Sequence, residues 1–153
     1  MSASDISEDI IEDLYAEALL LADDARAAFD MRVDGNIDSC GDRLRIALSI
    51  EGLRTTTRVM HVLAWLLNQR AYLSGELSHA QLRRHNSLPE ERLSDPANLG
   101  LLEPETQALI RESEELHARV ARLDHDLRAQ GTRDGTPVLS MHGRIAAAFA
   151  SHG

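Results

Sequence analysis

Two pairs of residues in this chain have the types and spacing of a metal-ligand motif, Glu76/His79 and Glu114/His117. On a helix, a three-residue spacing puts a carboxylate and an imidazole on one face, and two such faces opposed can hold a pair of metal ions. Each pair also has a plainer reading. Glu76 follows Gly75, where a helix is expected to end, and His117 falls beside the apolar seam of its own helix. With seven histidines and 25 acids in the chain, Glu-x-x-His recurs by coincidence, and solvated surface is the expectation. His61 is a candidate phosphoryl acceptor, as in histidine phosphotransfer bundles. That chemistry needs an accessible imidazole, a nearby cation and a small neighbour. Val59, Met60, Val62 and Leu63 surround it instead, so a half-buried or interface histidine is expected. Cys40 sits beside Gly41 and Asp42 with no His or Asn partner implied by spacing, and reads as inert. It is the sole cysteine, which excludes an intrachain disulfide and a cysteine zinc cluster.

All 16 basic residues are arginine. The lack of lysine excludes a Schiff-base lysine and the lysine of a phosphate-binding P-loop. No glycine-rich phosphate loop, nucleophile elbow or Ser/His/Asp arrangement is present. The expectation is a non-enzyme with no catalytic residue, no cofactor and no metal.

The elements that would position these residues are helices. Apolar residues are 43% of the 153-residue chain and aromatics only 3%, so Leu, Ala, Ile and Val must fill the core, which suits close helix packing. A first helix is predicted from about Asp5 to Arg32, opened by a capping-box pair, Asp5 and Glu8. Its apolar face carries Ile6, Ile10, Ile11, Leu14, Tyr15, Ala18, Leu21, Ala22, Ala25 and Phe29. Asp38 or Ser39 then caps a second helix that runs to Leu73 and stops at Ser74-Gly75. Gly52 and Thr55-Thr56-Thr57 weaken it locally and predict a bend. From Val59 to Leu67 it is apolar nearly all round, more than two neighbours in a three-helix domain can cover.

Ser78 to His85 reads as one short helix. Asn86 to Glu103 holds two prolines and Leu88, Leu93, Leu99, Leu101 and Leu102, and is expected to be a loop packed onto the helices. A third long helix follows Pro104, with Leu109, Ser113, Leu116, Val120, Leu123 and Leu127 at heptad spacing. Gln130 to Pro137 reads as linker. The expected architecture is an all-α, antiparallel three-helix bundle over 1–129, with a flexible, disordered C-terminal tail over 130–153.

The net charge of −9 makes nucleic acid and anionic membranes poor partners, because both are recognised by clustered cations. No segment is long and apolar enough to span a bilayer, the start is acidic and unlike a secretory leader, and the cytoplasm is the expected compartment.

The segment Thr56-Thr57-Arg58-Val59-Met60, followed by Ala64-Trp65-Leu66-Leu67-Asn68-Gln69-Arg70-Ala71, resembles the signature of the RcdA family, the regulators of CtrA degradation of α-proteobacteria. Leu109-Ile110-Arg111-Glu112-Ser113 with Leu116, Arg119-Val120 and Arg122-Leu123-Asp124 is similar too, and the likeness spans roughly Asp5 to Asp124. It implies a three-helix bundle, a homodimer, and a non-enzymatic adaptor role. Such an adaptor helps the ClpXP protease, primed by a CpdR-like response regulator, to receive cell-cycle substrates such as CtrA.

With this likeness, the dimer interface is expected around Val59, Val62, Leu63 and Leu66. Partner-binding candidates are Arg54, Arg58, Glu112 and Arg119 on charged helix faces, and Val138, Leu139, Met141 and Phe149 as a docking motif in the tail. The competing readings are a helical phosphotransfer or di-metal bundle, and a dimeric scaffold with no link to proteolysis.

Overall fold

A computed structural model describes the backbone of residues 3–34 and 41–150, with side chains over 7–30 and 41–131. All regular structure among the described residues is helical: α1 (Ala3–Asp34), α2 (Gly41–Leu73), α3 (His79–His85), α4 (Pro96–Leu99) and α5 (Pro104–Ala150). The chain is all-α. The expected caps Asp38 and Ser39, and Cys40, lie outside the described residues.

On α1, Ile11, Leu14, Ala18, Leu21 and Ala25 are buried. Their alternating spacing of three and four draws a single stripe along the helix, and that stripe packs lengthwise on α2. Arg70 of α2 ties the two helices from outside. Its guanidinium donates to Glu12 at 2.7 Å and lies 4.3 Å from the centre of the Tyr15 ring. Gly52, predicted to weaken α2, has a packing reason instead. A Cβ there would meet the Phe29 ring at 3.0 Å, so glycine permits α1 and α2 to approach. The α2 helix runs through that position without interruption.

Gly75 ends α2 in a left-handed conformation, φ 83°, and the Glu76 amide turns back to the Ala71 carbonyl at 2.8 Å. Ser78 then caps α3 through a reciprocal pair with Gln81. α4 is a single turn not foreseen from the sequence, with Asp95 accepting from the Ala97 amide at 2.9 Å and Pro96 in the first turn. Leu102 and Ile110 meet Ala47 of α2 in an apolar cluster that Phe29, Leu44, Leu48 and Leu99 close.

Two expectations need correction. Leu93 and Leu101 of the packed segment are exposed and only Leu102 is fully buried, so leucines are not what chiefly holds it. And α5 does not stop near Gln130: its backbone is helical to Ala150, where a disordered tail was expected. Gly131, Gly135 and Gly143 each cost a helix about 1 kcal/mol and Pro137 about 3 kcal/mol, so local propensity, apart from Ala146, Ala147 and Ala148, opposes the helix there and does not explain it. The chain divides into two compact units, 1–118 and 119–153.

Candidate functional site

The heptad seam of α2 that faces the 86–103 segment and the start of α5 is unusual in its chemistry. At Glu51, Thr55 and Arg58 it presents polar groups, all fully buried, before reverting to Val62, Trp65 and Leu66 and ending on another buried polar residue, Gln69. A buried cation is strongly unfavourable unless it is paired and hydrogen-bonded. Arg58 achieves this with partners from two directions. It donates one hydrogen bond to Ser113 Oγ of α5 at 2.8 Å and another to the Arg92 carbonyl at 2.9 Å. Its Nε lies 3.2 Å from a Glu91 carboxylate oxygen, yet that contact lacks hydrogen-bond alignment, and the Nε–H is left without an acceptor.

Glu91 is the hub. Its other oxygen is 3.2 Å from His61 Nδ1 and 3.9 Å from His117 Nε2. His117 Nε2 also meets the Pro89 carbonyl at 3.1 Å. Burial holds the His117 pKa below the ordinary histidine value, with Arg58 and His61 adding to that effect and Glu91 and the Pro89 carbonyl opposing it. The ring therefore favours its neutral form.

Further contacts fasten the same segment along its length. Asn86 is buried, donating to the Trp65 carbonyl and accepting from Asn68. Ser94 donates to Glu114. Glu51 accepts on one oxygen from Arg54, the Asp95 amide and Asn98, at 2.9, 3.2 and 3.0 Å. Its second oxygen and Thr55 Oγ1 have no partner. Gln107 closes the far end on the Leu99 and Leu102 carbonyls. The segment is a strap drawn onto α2 and α5 by polar groups.

The opposite face of α2 is apolar where the enclosed one is polar. Ile46, Ile50, Leu53, Thr57, Met60, Ala64 and Leu67 are all exposed, and the spacing 4-3-4-3-4-3 makes them one straight seam about 30 Å long. Leu53 is 71% exposed and Met60 57%, so the described residues leave more than half of each side chain uncovered. Arg43, Arg45 and Arg54 lie beside this seam, and the only acid from Arg43 to Leu73, Glu51, is buried.

The residues singled out from the sequence therefore fall in different places. Val59, Val62 and Leu66 are buried in the chain's own core; they correct the expected interface, because a side chain already enclosed has no surface to offer a second molecule. Leu63 is half-buried. Arg58, expected on a charged outer face, is enclosed and paired. Arg54 is half-buried against Glu51, while Glu112 and Arg119 are exposed. Val138, Leu139, Met141 and Phe149 lie on the α5 backbone, but their side chains fall outside the described ones.

The Glu-x-x-His pairs do not oppose each other. Glu76 lies past the end of α2 and His79 opens α3 against the Tyr72 ring, whereas Glu114 and His117 grip the strap. Among the described residues no group of three or more His, Cys, Asp and Glu is placed to hold a metal ion. Where His61, Glu91 and His117 converge, the Arg58 guanidinium supplies the positive charge. No helix among the described residues is long and apolar enough to cross a membrane.

The family model described as "Protein of unknown function (DUF1465)" matches residues 2–149. No curated protein and no solved structure matches the chain.

Proposed function

The chain belongs to the DUF1465 family, and from that premise we propose that it is a non-enzymatic, homodimeric, protein-binding adaptor of the RcdA type. The observation that carries the protein-binding reading is the exposed apolar seam of α2. Exposed apolar surface of that length and regularity is what a helix–helix interface looks like with one partner missing. The partner is a second copy. A two-fold axis near the middle of the seam, between Leu53 and Met60, sets two α2 helices antiparallel and covers both seams at once. This keeps the dimer on α2, as the sequence suggested, but turns it to the other face: Ile46, Ile50, Leu53, Met60 and Leu67 take the role first given to Val59, Val62 and Leu66.

Within each protomer, α1, α2 and the first part of α5 act as an antiparallel three-helix bundle in the cytoplasm. The adaptor reading itself rests on the Thr56–Met60 and Ala64–Ala71 likeness. The structure offers physical reasons for several of those residues: Arg58 anchors the strap, Trp65 and Gln69 are buried, and Arg70 ties α2 to α1. In this reading the protein brings a CtrA-like response regulator to ClpXP primed by a CpdR-like response regulator, and exposed charged positions such as Glu112 and Arg119 contact partners.

The test is a reconstituted degradation assay. With ClpXP, primer and CtrA-like substrate present, adding this protein is expected to accelerate substrate loss while ATP hydrolysis continues in its absence. Unchanged degradation, with the dimer intact, would leave a dimeric scaffold unconnected to proteolysis.

A further inference from the structure

The Glu91 carboxylate is held the way a protein holds a bound anion. Arg58 approaches one oxygen, His61 and His117 approach the other, and the group is almost wholly withdrawn from water. Two of those three come from α2 and one from α5, rigid elements whose positions the core fixes. Glu91 comes from an irregular segment between α3 and α4. The host is thus built from helices and the guest from a strap.

One detail shows that the guest does not saturate the host. Arg58 Nε is fully buried and 3.2 Å from the carboxylate, yet has no acceptor in hydrogen-bond alignment. A planar guanidinium prefers two parallel hydrogen bonds to a carboxylate. Here one edge is divided between Ser113 and a backbone carbonyl, and Nε lies beside a carboxylate tethered to the strap without a hydrogen bond in alignment. A carboxylate free of that tether is able to complete the alignment.

We infer that Arg58, His61 and His117 form an oxyanion socket whose resident occupant is the chain's own Glu91, and that a carboxylate from outside the chain is able to take its place. The ligand class is a carboxylate, the chemistry of the resident group. Its entry expels Glu91 and releases the middle of the strap, which the Asn86 and Glu51 anchors continue to hold at its ends. The socket therefore couples recognition of a carboxylate to a local change of the surface between α2 and α5, on the side of the bundle away from the apolar seam. This inference is independent of the adaptor reading.

Chemical rescue tests it on the full chain. Glu91→Ala vacates the socket, and acetate is the probe, with chloride at equal ionic strength as the control. Acetate is expected to bind this variant at least about 10-fold more tightly than it binds the wild type, where Glu91, held in place by the fastened strap, already occupies the socket. The readouts are the rise in melting temperature with acetate and shifts of the His61 and His117 ring resonances. Adding His117→Ala should weaken acetate binding. Should Glu91→Ala fail to fold alone, helicity is expected to return when acetate is present. The inference is overturned if acetate does no more than chloride, if wild type and Glu91→Ala respond alike, or if an unfolded variant stays unfolded in acetate.

Discussion

The two faces of α2 share one backbone and differ most in its first half, where the enclosed face is polar and the exposed face apolar. The enclosed face buries an arginine, a glutamate and a threonine, while the exposed face leaves isoleucines, leucines and a methionine in water. Ordinary amphipathic helices do the reverse. The inversion is stable on the inside because each buried charge meets partners fixed by the strap, and on the outside only if something covers the seam. The enclosed face thus defines how the chain holds itself, and the exposed face how it meets another molecule.

Substitutions on the two faces should part company. The largest effect is expected from Arg58→Ala. It leaves Glu91 buried beside an unfilled space, and breaking a buried pair by deleting one partner costs about 3–5 kcal/mol. Urea denaturation should show a correspondingly lower midpoint. Val62→Ala removes buried apolar volume from the same face and should cost about 1–3 kcal/mol, read the same way. Gly52→Ala sharpens the account of how α1 approaches α2. Alanine gains about 1 kcal/mol of helix propensity. It also presses on Phe29, whose ring is packed with Ala47, Leu102 and Ile110, where overpacking costs about 1–3 kcal/mol. A small net loss of stability is expected; a rise in melting temperature would mean the ring yields freely.

The pH dependence of the enclosed face follows from His117. Its folded pKa lies below the unfolded value near 6.5, so the unfolded chain takes up a proton first as pH falls. The contribution of the neutral ring is complete above about pH 6.5 and is lost as pH drops from there toward the folded pKa. His117→Gln should flatten that part of a stability–pH curve measured by denaturant unfolding, with Glu91, Arg58, His61 and the Pro89 carbonyl still in place.

How much of this was legible beforehand depended on which signal a residue carried. The helices and the α1 stripe announced themselves through apolar periodicity, and Gly75 and Pro104 through turn and first-turn chemistry. The α2 apolar run from Val59 to Leu67 was also visible, but hydrophobicity alone cannot say which side of a helix its own chain covers. The run therefore points as readily to Val59, Val62, Leu63 and Leu66 as to Met60 and Leu67, which are the exposed ones. The enclosed polar seam was invisible for a related reason. Glu51, Thr55 and Arg58 continue the core spacing of Val62 and Trp65, but a search by residue type skips polar members. Glu91 sits in an irregular segment with no periodicity at all, so its pairing across 33 residues with Arg58 is a tertiary fact.

The smallest stability effect and the largest assembly effect should coincide in one variant. Leu53→Asp with Met60→Asp alters only exposed positions and should leave protomer stability within about 0.5 kcal/mol per site, with helicity by circular dichroism unchanged. The decisive measurement is its molar mass in solution by light scattering, beside the wild type. A wild-type dimer and a folded, monomeric variant are predicted. A wild-type monomer, or a variant that remains dimeric, would contradict the assignment of the α2 seam as the dimer interface.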